Sequence, residues 1–121
     1  QENLFDSVGK AIVEISKQIK AQAIVVFTFE GRTARIISTY RPESKIIAIS
    51  NSFETMNNIC LHWGVTSVYR EKIDKEHLAI DDAKELILNA NLVNKGDLII
   101  FTAGAPYSEK SRANWLRFEV I

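Results

Sequence analysis

The sequence predicts a three-layer α/β/α sandwich around a five-stranded, mostly parallel sheet whose last strand is antiparallel. Three observations predict it. Short runs rich in apolar and β-branched residues recur at 23–29, 45–50, 65–69 and 98–104, the pattern of strands covered on both faces. Helical segments separate these runs, which implies parallel pairing through right-handed crossovers. No helical segment separates the fourth run from the alternating run at 114–121, so the fifth strand is expected at an edge, antiparallel to its neighbour.

Each element has its own signal. Residues 4–20 place Leu4, Val8, Ala11, Ile12, Ile15 and Ile19 on one stripe, with Lys10, Glu14 and Lys17 opposite, as an amphipathic helix does. "AIVVFTF" at 23–29 is the first strand. After Gly31, the residues Ala34, Ile36, Ile37 and Tyr40 mark a short helix that Pro42 stops. "KIIAIS" at 45–50 is the second strand. Ser50, Asn51 and Ser52 are natural caps for a helix at about 52–63, ended by Gly64. Phe53, Met56, Ile59, Cys60 and Trp63 are expected on its inner face. "VTSVY" at 65–69 is the third strand. A helix near 76–91 turns Ala79, Ala83, Leu86, Ile87 and Ala90 inward. "NKGD" at 94–97 is a turn, "LIIFTAG" at 98–104 the fourth strand, and "NWLRFEVI" at 114–121 the fifth.

Composition bounds the function. The chain has 121 residues, enough for one domain with a real core. Fifteen basic residues balance fifteen acidic ones, so no global field draws in nucleic acid or an anionic membrane, and an anion site must be local. No apolar run approaches the roughly 20 residues of a membrane span. Residues 1–20 carry both charge signs and do not read as a signal peptide. The first residue is Gln1 rather than Met, so a processed chain, or one cut from something longer, is expected. The single cysteine, Cys60, cannot form an internal disulfide, which suits a reducing compartment. On its helix face it is expected to be a buried structural thiol. Two histidines, His62 and His77, without a CxxC or HExxH pattern, argue against structural zinc; both read as surface or boundary residues. Asp81 and Asp82 are adjacent on a helix, do not face each other, and read as solvated surface. Trp63 and Trp115 fit an interface or a core edge equally well.

Ligands of open parallel sheets bind outside the carboxyl ends of the strands. That rule selects two loops. One is the turn Thr28, Phe29, Glu30, Gly31, Arg32, Thr33, where a helix begins. The other is "AGAPYSEKSRAN" at 103–114, holding Lys110, Ser111, Arg112 and Asn114. If the first and fourth strands are neighbours, both loops face one space. A helix N-terminus with unpaired N–H groups would meet cations and donors there, which suits a phosphorylated small molecule. Taken alone, the first turn is also an ordinary helix start, with Thr28 and Thr33 as caps, and the second an ordinary surface loop. No triad, dinucleotide fingerprint or phosphate-binding "GxxxxGK[ST]" loop is present, and no acid/base pair marks an independent enzyme.

Three segments, in order, carry a family resemblance. "TFEGRTARIISTYRPESKIIAIS" at 28–50 resembles the pattern "T-x-S-G-x-[ST]-A", then "Y-R-P", then an "IIA[VI][ST]" strand; "LHWGVTSV" at 61–68 resembles "L-x-x-G-V-x-P-V"; "VNKGDLIIFTAGAP" at 93–106 resembles "KKGDxVVxxxG". Together they resemble the C-terminal α/β domain of pyruvate kinase over residues 1–121. The resemblance implies a regulatory and assembly domain of a glycolytic phosphotransferase that moves a phosphoryl group from phosphoenolpyruvate to ADP, giving pyruvate and ATP. Magnesium and potassium are then implied for a barrel domain this chain does not contain. No cofactor, metal or catalytic residue is implied for the chain itself, which is expected to be inactive alone. A sugar-phosphate effector is implied between the two selected loops. Thr28, Gly31, Arg32 and Thr33 match the phosphate turn, while Glu30 stands where serine is common. "KSRAN" at 110–114 keeps the family's asparagine, with Ser111 where glycine is usual and Arg112 and Ala113 where threonines are, and Lys110 and Arg112 supply compensating charge. These departures point away from fructose 1,6-bisphosphate in particular, toward a different phosphorylated effector or none. The implied partners are the rest of a pyruvate kinase chain and further copies, in a homotetramer, through Trp115, Leu116 and Phe118 of the last strand. A cytoplasmic location is implied, an organelle being left open. The alternatives are a stand-alone module of this fold that senses a phosphorylated metabolite, and a small independent enzyme.

Overall fold

The structure, a computed structural model, describes residues 2–28, 31–70, 76–103 and 116–121. In chain order the elements are α1 (Glu2–Ile19), β1 (Ala23–Phe27), α2 (Arg32–Thr39), β2 (Lys45–Ser50), α3 (Phe53–Ile59), β3 (Val65–Tyr69), α4 (Glu76–Asn89), β4 (Leu98–Ala103) and β5 (Leu116–Val120). They form one five-stranded sheet in the order β3-β2-β1-β4-β5. β1 is central, parallel to β2 on one side and to β4 on the other. β3 extends the parallel run beyond β2, and β5 closes the far edge antiparallel to β4. The expected α/β/α sandwich with an antiparallel last strand is the observed fold.

Alternation along the buried strands divides the core in two. Val25, Phe27, Ile47, Ile49, Ile99 and Phe101 face α4, where Ile80, Ala83 and Ile87 meet them. Ile24, Val26, Ile46 and Ala48 face the other way, against Ile12 and Val13 of α1, Ala34 and Ile37 of α2, and Ile59 of α3. Phe27 and Phe101 stack across neighbouring strands with ring centroids 6.2 Å apart. Every residue of β1 is buried, as a strand with helices on both sheet faces must be.

Three expectations about burial need correction. The inner stripe of α1 is turned from the predicted one: Gly9, Ile12, Val13 and Ser16 are buried, whereas Ala11 is exposed and Ile15 and Ile19 are half-buried. The reason is a close approach. A Cβ on Gly9 would lie 2.5 Å from Cγ2 of Ile36, so the helix presents its glycine to α2 and buries the positions three, four and seven residues on. Ser16 is tolerated there because its hydroxyl donates to the Val13 carbonyl at 2.7 Å.

The second correction concerns α3. It ends at Ile59 rather than near residue 63, capped at its start by the Ser52 hydroxyl, which accepts from the Thr55 amide. Ile59 is buried and Met56 half-buried, but Phe53, Cys60 and Trp63 are exposed. α3 packs on β3, the edge strand, and on β2, so one of its flanks lies at the margin of the sheet. Cys60 is thus no core thiol; its Sγ–H donates to the Asn57 carbonyl at 3.0 Å at the helix end. The third correction is Ala90, which follows the last helical residue of α4 and is exposed.

Asp81 and Asp82 are exposed as expected, and Asp82 pairs with Arg70 at 2.8 Å. On the opposite edge Lys84 of α4 holds Glu119 of β5 at 2.6 Å. That hydrogen bond, helped by Arg117, lowers the Glu119 carboxyl below its ordinary range against a smaller upward effect of burial.

Truncating Phe101, fully buried between β1 and α4, should cost about 3–5 kcal/mol, read as a lower urea midpoint; a loss below about 1 kcal/mol would mean that this core collapses around the void. A carboxyl lowered in the folded state stabilises above its unfolded pKa and loses that contribution as pH falls through the folded value. Stability of the chain should therefore fall on acidification through the carboxylate range, about pH 5 to 3, with a component that Glu119→Gln removes. Identical pH profiles for the two proteins would show that the pair contributes nothing.

Candidate functional site

The sheet order creates a crevice at one place. From β1 the chain moves outward through β2 to β3, and then α4 carries it back across to β4 on the other side of β1. Phe27, the last residue of β1, is paired with Ile49 of β2 on one side and Ala103 of β4 on the other. The segments that leave β1 and β4 therefore start side by side, at the reversal of strand order where open α/β sheets bind ligands.

Thr28 builds the turn after β1. Its amide donates to the Ile49 carbonyl at 3.0 Å, extending the parallel ladder by one step. Its hydroxyl, buried with the residue, accepts from the Gly31 amide at 2.6 Å. Gly31 then adopts φ 87°, the left-handed region, as the N-cap residue of α2. Two causes require glycine. A side chain is strained at that φ, and a Cβ would meet Ile59 of α3 at 2.8 Å. The glycine is therefore a packing requirement of α3 as much as an opening for a ligand.

The Arg35 amide makes the first intrahelical bond, to the Gly31 carbonyl at 3.0 Å; no side chain caps Gly31, and no acidic residue lies in the turn. A helix start leaves amides without intrahelical partners and carries about half a positive charge. Thr28, Gly31 and Thr33 are buried, so among the described turn residues only Arg32 is exposed. One guanidinium beside the amides of a helix start is an arrangement that attracts an anion such as phosphate.

Phe29 and Glu30 of this turn, and Lys110, Ser111, Arg112, Asn114 and Trp115, lie outside the described residues. Leu116 and Phe118 are placed. Leu116 is half-buried against the α1–α2 side of the core, whereas Phe118 is 53% exposed on the edge strand. The sequence placed Ile59 on an inner helix face but did not connect it, or Thr55, with this turn, which both back from α3; the only signal for that contact is the glycine they pack on.

Little else described resembles a site. Among the described residues no group of three or more His, Cys, Asp or Glu could hold a metal ion, and no helix is long and apolar enough to cross a membrane. A cleft of about 500 Å³ opens at the opposite end of the strands, where the chain enters β1 and β2, beside Ser16, Gln22 and Ser44. Those groups already serve the fold: the Ser16 and Ser44 hydroxyls donate to the carbonyls of Val13 and Ala21, and Gln22 Oε1 accepts from the Leu98 amide.

Comparison with known proteins agrees with this architecture. Residues 6–118 match the family described as "Pyruvate kinase, alpha/beta domain". The chain is 34% identical over 119 residues to the pyruvate kinase of Staphylococcus saprophyticus, and 33% identical over the same length to that of Staphylococcus aureus strain USA300. These matches cover 98% of this chain and 20% of each relative, so the chain spans about a fifth of their length. Among solved structures, Cryptosporidium parvum pyruvate kinase in complex with ADP superposes with a TM-score of 0.84 at 27% identity, over 96% of this chain and 23% of that one.

Gly31→Ala combines left-handed strain of about 1–2 kcal/mol with overpacking of about 1–3 kcal/mol. A loss of at least about 2 kcal/mol is expected in urea unfolding. A smaller loss would show that α3 moves away from the turn at little cost.

Proposed function

The chain belongs to the pyruvate kinase family, through that enzyme's C-terminal α/β domain, and we propose that it serves there as the effector-binding and assembly part rather than the catalytic one. In this reading the parent enzyme transfers a phosphoryl group from phosphoenolpyruvate to ADP in the cytoplasm. Magnesium and potassium act in its barrel domain. This domain takes a phosphorylated small molecule between the turn after β1 and the segment after β4. The observation that carries the reading is the adjacency of β1 and β4 at the strand-order reversal, with an α2 whose first turn contains no acidic residue.

Regulation follows by linkage. An effector that binds the enzyme's active state more tightly shifts the equilibrium toward that state, by no more than its differential affinity. Assembly would use the exposed side of β5. Phe118 and Val120 are 53% and 60% exposed on an edge strand whose outer hydrogen-bonding side faces no other strand of the sheet, a surface that favours pairing with a second copy. A stand-alone sensor of the same fold would use the same crevice. A coding sequence for a barrel upstream of Gln1 separates the two readings.

Thermal unfolding of the chain with fructose 1,6-bisphosphate, glucose 6-phosphate, ribose 5-phosphate, AMP and inorganic phosphate tests the site. A ligand at about 100 times its Kd should stabilise by roughly 2.7 kcal/mol. Arg32→Ala should weaken that ligand about tenfold or more, the loss of one charged hydrogen bond. Unchanged affinity would remove Arg32 from the site. Phe118→Lys should shift any dimer or tetramer toward monomer in sedimentation; an unchanged distribution would place assembly elsewhere.

A further inference from the structure

The cleft at the end of the strands opposite the crevice has walls that the fold itself fixes. One wall is the end of α1, with Ser16, Lys17 and Lys20; the other is the turn into β2, with Glu43 and Ser44. The Ser44 hydroxyl donates to the Ala21 carbonyl at 2.7 Å and ties the walls together. Gln22 Oε1 accepts from the Leu98 amide at 2.8 Å, which holds that side chain in place. The volume, about 500 Å³, lies within the range of small-molecule sites, roughly 300–1,000 Å³. Val13, Ala21 and Pro42 are buried and give the cleft apolar surface. Lys17, Lys20 and Glu43 are exposed, and none of the three pairs with another described residue. Lys20 takes φ 55°, where α1 ends in a turn closed by the Ala21 amide on the Ser16 carbonyl at 3.0 Å. Glycine is the usual residue at that place in such a turn. A lysine there bears a conformational cost and adds a cation to the cleft. Arg41, which precedes Pro42, is left-handed too, at φ 48°, but it engages Trp63 instead, its guanidinium carbon 5.3 Å from the centroid of that ring.

We propose that this cleft binds a small hydroxy-carboxylate, at a site separate from the crevice. Two ammonium groups, Lys17 and Lys20, outweigh one carboxylate, Glu43, so an anionic head group is favoured. Two features select a carboxylate over a phosphate. The helix end at the cleft is the C-terminus of α1, which carries a partial negative charge and offers carbonyls where a phosphate site offers amides. The cations are lysines, and no guanidinium fork lines the cleft to match phosphate oxygens. The rest of the lining calls for hydroxyl groups on the ligand. Glu43 and the last carbonyls of α1 accept hydrogen bonds, and the Gln22 NH2 group, left over once Oε1 takes the Leu98 amide, donates one. A short carbon chain then lies over Val13, Ala21 and Pro42. β1 has five residues and is about 17 Å long, so a ligand of this size does not reach Gly31 or Arg32 at the other end. The proposal stands apart from the effector reading of the crevice.

Amide chemical shifts of the 121-residue chain, titrated separately with gluconate, acetate and inorganic phosphate, test this. Gluconate should produce saturable shifts at residues 16–22 and 43–45 and leave residues 31–35 unmoved. The double substitution Lys17→Gln/Lys20→Gln should weaken gluconate about tenfold or more, the loss of charged hydrogen bonds, while the amides of β1 keep their positions. Glu43→Gln should weaken gluconate relative to acetate by about threefold or more, because acetate brings no hydroxyl donor to that side chain. Absence of a saturable gluconate shift at 16–22, or an affinity that the double substitution leaves unchanged, overturns the site. Acetate or phosphate binding there as tightly as gluconate overturns the assignment to a hydroxy-carboxylate. Gluconate shifts confined to residues 31–35 would place the carboxylate in the crevice and overturn the cleft as well.

Discussion

The fold depends on the double pairing of β1. This five-residue strand is buried on both faces and hydrogen-bonded along both edges, so every backbone group has a partner only if β2 and β4 are both in register. The core layers follow from that constraint, because alternate residues of β1 define which helices meet which face. The site follows too. Reversal of strand order about β1 leaves Thr28 and the end of β4 at one crevice, and nothing in either loop by itself would have brought them together.

Thr28 and Gly31 join that strand to the start of α2. The threonine spends its amide on the sheet and its hydroxyl on the turn, so a single residue links the ladder to the start of α2. Gly31 accepts the reversed backbone and lets Ile59 close in from α3. α2 is wedged between two such close approaches, Gly31 against α3 and Gly9 of α1 against Ile36.

Much of this was legible in the chain. β-branched runs marked four of the strands because burial on both faces demands continuous hydrophobicity. Gly31 and Pro42 bracketed α2 because each restricts the backbone at its own position. The family segments were legible for the same local reason: they surround turns whose geometry tolerates few residues. Burial on the helices was less legible. Ala11, Ile15 and Ile19 have the spacing of an inner stripe, yet Gly9 and Ser16 lie deeper, because a missing side chain permits helix contact and a hydroxyl can be satisfied within its own helix. Phe53 and Cys60 read as core residues and are exposed, because apolar character does not reveal whether a neighbour lies beyond an edge strand.

The sequence by itself determined which segments are strands and helices, where α2 begins and ends, and the kinship of the whole, since these depend on residues near one another along the chain. Tertiary structure alone decided the strand order that sets β1 beside β4, the turning of α1 toward α2, and the exposure of Trp63 over Arg41. Each is a contact between residues far apart in sequence, chosen by which surfaces can pack together, and periodicity within one segment carries no record of its partner.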